Sequence, residues 1–152
     1  MSEISGAYPI RLPVWWGRRG AAGPHPELPG VTGRYIVIRH PKRFRRLEGM
    51  LARIFRAPKE LRRPLDDMNS LLWELCDGTR NFEEICQLMD STFHERISPV
   101  IERTEAALTR FNHLGLIGMS KNPFEGDWDQ GPGQDPSGEL PPPDEKLGLD
   151  WE

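Results

Sequence analysis

The side chains able to do catalytic or metal chemistry are few and poorly grouped for it. His25, His40, His94 and His113 are scattered, with no i, i+4 pair to chelate a metal. Cys76 and Cys86 have neither a CxxC partner nor a histidine at ligand spacing. Both fall on apolar faces of predicted helices and read as small buried thiols. Asp66 and Asp77 read as cap and turn residues, not as a carboxylate pair for acid–base work. No glycine-rich phosphate loop, serine elbow or Cys/His nucleophile arrangement is visible. The chain is therefore expected to be non-enzymatic, with no cofactor and no metal. What remains is the run Lys59, Glu60, Leu61, Arg62, Arg63, Pro64, Leu65. It reads as a short strand, and its proline argues for an edge position. Leu61, Arg63 and Leu65 share one face. Arg62 and Arg63 fit two readings equally: a binding role, or the charges that commonly protect a strand edge from aggregation.

Charge is unevenly spread. Residues 34–63 carry 11 Lys+Arg against 2 Asp+Glu, whereas 64–118 carry 4 against 10 and 119–152 carry 2 against 9. A basic block beside acidic blocks implies an anionic partner or an internal match. The run RHPKRFRR (Arg39 to Arg46) suits nucleic-acid phosphate, anionic lipid or the protein's own acidic tail, and as a single feature reads most simply as a solvated basic face. Only 37% of residues are hydrophobic, and no apolar run approaches the roughly 18 residues of a membrane-spanning helix. No secretory signal is expected at the N-terminus. With two isolated cysteines, the expected setting is a reducing cytoplasm.

Three elements must position these residues, and the rest of the chain is expected to flank them. A lead rich in Gly and Pro, residues 1–33, holds one possible strand, Ile10 to Trp16, broken by Pro13, and then a loop from Gly17 to Gly33. Trp15-Trp16 suits either a core cap or an exposed docking patch. Tyr35 to Arg39 is β-branched and aromatic and reads as a strand. Leu47, Met50, Leu51, Ile54 and Phe55 stand at helical spacing. The clearest helices follow. Asp67 to Asp77 has an N-cap at Asp66 or Asp67, a stripe of Met68, Leu71, Leu72 and Leu75, a core Trp73, and Gly78 as its stop. Phe82 to Phe93 has an Asn81/Glu84 capping box and the stripe Phe82, Ile85, Cys86, Met89, Phe93. Pro99 to Leu114 has Ser98 as cap, Gly115 as stop and the stripe Ile101, Leu108, Phe111, Leu114. Helices this short must share a core. Residues 119–152 are acidic, rich in Pro and Gly, and read as a disordered tail.

The run LDDMNSLLWELCDGTRNFEEICQLM resembles the PqqD family: Leu65-Asp66 at the entry, Trp73 near a helix end, the Asp77-Gly78 turn, the cap Asn81 and the spaced Ile85. TRFNHLGLI, Thr109 to Ile117, looks like that family's final helix and Leu-Gly-Leu exit. The resemblance covers roughly residues 59–117. It implies an α+β, winged-helix-like domain over residues 34–118, with short N-terminal antiparallel strands followed by a three-helix bundle. It also implies a peptide-binding adaptor that presents a precursor (leader) peptide to a modifying enzyme, in the family often a radical-SAM enzyme. In that mode the peptide adds to the edge strand, touching Lys59, Glu60, Leu61, Arg62, Arg63 and Leu65, with Arg103, Ala107 and Arg110 of the third helix alongside. The arginines would greet an acidic leader. The alternatives are a winged-helix nucleic-acid binder and a protein-docking scaffold. Nucleic acid is disfavoured because Glu102 and Glu105 offset Arg103 and Arg110 on the would-be recognition helix.

Overall fold

The computed structural model describes residues 3–41 and 60–152. The helix expected over Leu47 to Phe55, most of the RHPKRFRR run and the site residue Lys59 lie outside them.

The described residues form a mixed α+β fold of two antiparallel sheets and three α-helices. The strands are β1 (Tyr8–Arg11), β2 (Trp15–Arg19), β3 (Tyr35–Pro41), β4 (Glu60–Pro64) and β5 (Ile117–Ser120), and the helices are α1 (Asp67–Leu75), α2 (Phe82–Phe93) and α3 (Val100–His113). One sheet has the order β2-β3-β4, and the other pairs β1 with β5. The single broken strand expected over Ile10 to Trp16 is thus two strands in different sheets. Pro13, which lacks the N–H a ladder needs, sits where the chain crosses between them. β2 runs on to Arg19, into the stretch expected to be loop.

Local chemistry sets the helix starts. Asp66 accepts from the Asn69 N–H at 2.8 Å, and Asn81 and Glu84 exchange both bonds of the capping box. Ser98 does not cap α3: Pro99 holds the N-cap position, and no side chain accepts from the first turn. Gly78 adopts φ +82°, and a Cβ there would sit 2.8 Å from Ile10 Cδ1, so the turn after α1 both bends left-handed and passes close to β1.

Burial follows the expected stripe on α2: Phe82, Ile85, Cys86, Met89 and Phe93. On α3 the stripe is rotated. Thr104, Leu108 and Phe111 face inward, while Ile101 and Leu114 are 52% and 39% exposed. Residues 104, 108 and 111 follow the 3.6-residue period that a core-facing stripe needs, and the helix turned to place Thr104 inside. The main core joins the sheet to the helices through aromatic edge contacts. Trp16 lies 6.1 Å from Trp73, and Trp73 lies 5.7 Å from Phe111, ring centre to ring centre.

The tail is not free of the body, as its composition suggests it should be. Asp150 exchanges both backbone hydrogen bonds with Arg18, at 2.7 and 2.8 Å, and so lies along the outer edge of β2. Leu149 packs with Trp15 and Val37, and Trp151 stacks on Trp15 at 5.9 Å. Nearer its start, Trp128 Nε1 donates to the Arg11 carbonyl, and the Gln130 carbonyl accepts from Trp16 Nε1. Polar composition correctly signals a segment with no core of its own; a few aromatic and leucine anchors suffice to lay it on a core made by others. These contacts also decide between the two readings of Trp15-Trp16. Both are buried, Trp16 in the main core and Trp15 under the tail.

One buried charge organises the junction. Glu74, near the end of α1, has a fully enclosed side chain. Its carboxylate accepts from Arg18 Nε at 2.8 Å, from the N–H and hydroxyl of Thr32, and from the N–H of Gly33. A buried carboxylate is tolerated only with such partners, and removing one side of a buried pair costs about 3–5 kcal/mol. Glu74→Ala is therefore expected to lower the unfolding free energy by about that amount in urea titrations followed by tryptophan fluorescence, with Glu74→Gln falling between it and the parent. A change below about 0.5 kcal/mol in the alanine variant would remove Glu74 from this role.

Candidate functional site

β4 pairs with β3 alone among the described residues, and within them it forms an edge of its sheet. The Leu65 N–H donates to the Ile36 carbonyl at 2.9 Å. Backbone direction alternates along an antiparallel strand, so Leu61, Arg63 and Leu65 turn their backbone groups toward β3, while Glu60, Arg62 and Pro64 turn theirs outward. Pro64 has no N–H to offer. The outward donors and acceptors are thus centred on Arg62. The ladder ends at the helix: the Ile36 N–H donates to Ser70 Oγ, and the Ser70 hydroxyl donates to the Leu65 carbonyl.

Register sorts the side chains between two faces. Arg63 stands opposite Ile38, and Leu61 opposite His40, on the face that carries the main core. Arg62 stands opposite Arg39, on the face covered by the tail. Leu61 is 52% exposed, a large apolar side chain on an open edge. Arg63 is half-buried, and its Nε is enclosed with no hydrogen-bond partner among the described residues. Leu65 is partly buried against the main core. His40 is held below the ordinary imidazole value, first by burial and then by the charge of Arg63, and is neutral at physiological pH.

Glu60 departs from the expected peptide contacts. It is buried, and it pairs with the buried Arg39, whose Nε donates to Glu60 Oε2 at 2.5 Å. Arg62 Nε donates to the other carboxylate oxygen at 3.0 Å. Arg39 also stacks on Trp15, 4.5 Å from the ring centre, and donates to the Pro141 carbonyl of the tail. A carboxylate satisfied from both sides inside the protein is not presented to a ligand. The sequence carried a signal for this pairing in the opposite charges of two strands, but not the register that joins them.

The third-helix residues are placed less tightly. α3 packs on α2 and β5. Arg103 is exposed and donates to the Arg96 carbonyl, and Arg96 pairs with Asp67 at 2.9 Å, which links α3 to the segment just after β4. Ala107 packs against the main core. Arg110 is exposed on the last turn.

Among the described residues, no group of three His, Cys, Asp or Glu stands close enough to hold a metal ion. Cys76 and Cys86 are unpaired, and burial pushes their thiols up to about 12 and about 11. No helix among the described residues is long and apolar enough to cross a membrane.

Two outcomes follow from this geometry. Glu60→Ala strands the buried Arg39 and is expected to cost about 3–5 kcal/mol in chemical denaturation, whereas Arg62→Ala, at a largely solvated partner, should stay within about 1 kcal/mol. Equal effects would mean that the Arg39 pair does not matter to folding. Both thiols are expected to resist a disulfide reagent at pH 8 in the folded protein and to react promptly once it is unfolded, because only the thiolate attacks.

Comparison of the chain with protein-family models, with curated proteins and with solved structures finds no match, so its own residues carry the functional reading.

Proposed function

We propose that the chain is a non-catalytic peptide-binding adaptor of the PqqD-like kind, which takes an extended precursor peptide onto β4 and presents it to a modifying enzyme. The observation that carries this reading is the asymmetry of the three-stranded sheet. The outer edge of β2 is occupied by the chain's own Asp150, while β4 has a partner on one side only among the described residues. An extended peptide pairs with such an edge through main-chain bonds and gains selectivity from alternate side chains.

The element order supports the same reading. Strands β2, β3 and β4 precede helices α1, α2 and α3, as in the winged-helix-like domain that the PqqD resemblance implies, and β1, β5 and the tail are additions to it. The exposed Leu61 offers an apolar contact to a bound peptide. Arg103 and Arg110 add positive charge suited to an acidic leader. Exposed pairs of this kind contribute about 0–1 kcal/mol each, so they select among peptides more than they hold them. Nucleic-acid binding is the weaker reading, because α3 carries Glu102 and Glu105 and its neighbour α2 carries Glu83, Glu84 and Asp90, which repel phosphate.

The backbone direction along β4 selects the test. Proline at Leu61 or Arg63 would break the ladder to β3, whereas proline at Arg62 removes only an outward N–H. A fluorescently labelled leader peptide encoded beside the gene is expected to bind at micromolar concentration, and Arg62→Pro to weaken it at least about tenfold with little change in unfolding midpoint. Binding by the parent that Arg62→Pro leaves untouched would place the peptide elsewhere, and no binding would remove the proposal.

A further inference from the structure

A groove of about 740 Å³ opens between α2 and α3 and is closed at one end by Ser5 and Glu3. None of its lining residues belongs to β4. Its apolar part is made by Phe82, Cys86, Val100 and Ile101, and Ile101 leaves half of its surface in water. Five carboxylates line the same groove: Glu3, Glu83, Asp90, Glu102 and Glu105. No Lys or Arg does so among the described residues.

Local helix chemistry explains only part of this charge. Glu83 and Glu102 lie in first turns, where a carboxylate complements the positive helix end. Glu83 also accepts from the Ser5 hydroxyl and the Gly6 N–H, which hold its carboxyl below the ordinary range. Asp90 is placed against its helix: it falls in the last turn of α2, where negative charge is unfavourable and where no basic residue compensates. Glu105 lies mid-helix on α3, facing the same groove. Along α2, Glu83, Gln87 and Asp90 recur at i, i+4 and i+7 over about 10 Å, beside Phe82 and Cys86, which span about 6 Å.

We propose that this groove docks a cationic amphipathic helix of a partner protein, its apolar face against Ile101 and Val100 and its Lys or Arg residues against Asp90 and Glu102. Charge complementarity names the occupant. An acidic helix would bring like charge to a lining of five carboxylates and a neutral one would bring none, whereas a basic helix brings opposite charge to the rim of an apolar contact. The site is independent of the peptide edge at β4, so the adaptor would hold two partners by different surfaces.

The test uses the full chain and a labelled synthetic helical peptide of about 14 residues, rich in Lys and Leu, with two control peptides of the same apolar pattern, one carrying Glu in place of Lys and one carrying uncharged Gln. Fluorescence anisotropy at about 50 mM salt is expected to show binding of the cationic peptide below about 100 µM, weakening with added salt, and no binding of either control. Asp90→Lys with Glu102→Lys should weaken it at least about tenfold, and Ile101→Ser should weaken it without changing its salt dependence. All three positions are exposed, and circular dichroism checks that the variants fold. Arg62→Pro should leave this binding unchanged. Failure of the cationic peptide to bind, equal binding of either control, or unchanged affinity in the groove variants would each overturn the proposal, whatever becomes of leader binding at β4.

Discussion

The Glu74 carboxylate fixes how α1 meets the sheet. It is enclosed, and its hydrogen-bonding capacity is met by Arg18 on β2 and by Thr32 and Gly33 in the loop that leads to β3. Because an uncompensated charge there would cost several kcal/mol, the strand, the loop and the helix end must arrive together. Arg11 completes the junction from β1. Its guanidinium donates to the carbonyls of Trp73 and Glu74 at the C-terminal end of α1, the first of which also accepts from the Cys76 N–H, and lies 5.0 Å from the Trp16 ring. With α1 locked in this way, Trp73 points into the core between Trp16 and Phe111, and the two remaining helices have a surface on which to pack.

The same junction leaves the three-stranded sheet with unequal edges. β2 meets the tail through Asp150, and the tail is held by contacts that begin at Trp128 and Gln130, beside Arg11 and Trp16. β4 lies across the sheet, with alternation sending Arg63 and Leu61 to the core face and Arg62 and Glu60 to the tail face. The buried Arg39–Glu60 pair stiffens that edge from within. An edge that is anchored by a buried ion pair and a serine bridge has less freedom left to lose than a loose one would. The acidic tail also gives the basic residues an internal match: Arg34 pairs with Asp150 at 2.6 Å.

Much of the helical part was legible. Asp66, Asn81 with Glu84, and Gly115 act as the caps and stop that their types imply, because capping depends on residues three or four apart, whereas α1 ends at Leu75 with Cys76 as its cap, ahead of the expected stop at Gly78. The α2 stripe was legible for the same reason. The edge character of β4 followed from Pro64. The binding residues expected along β4 were legible only as a run: period two put Arg62 and Arg63 on opposite faces, but which face met the core, and that Glu60 would be consumed by Arg39, depended on pairing with a strand about twenty residues earlier.

The sequence by itself determined what is local: most of the helix caps, the apolar stripe of α2, and the uneven charge along the chain. Tertiary structure decided what depends on partners far apart in sequence. It split Ile10 to Trp16 between two sheets, rotated α3 so that Thr104 is buried and Ile101 exposed, buried Glu60 and Glu74, and seated a tail that composition marks as unstructured. Each of these turns on register or on contacts more than a dozen residues apart. Such contacts gain free energy only once the core exists, so no local pattern in the chain encodes them.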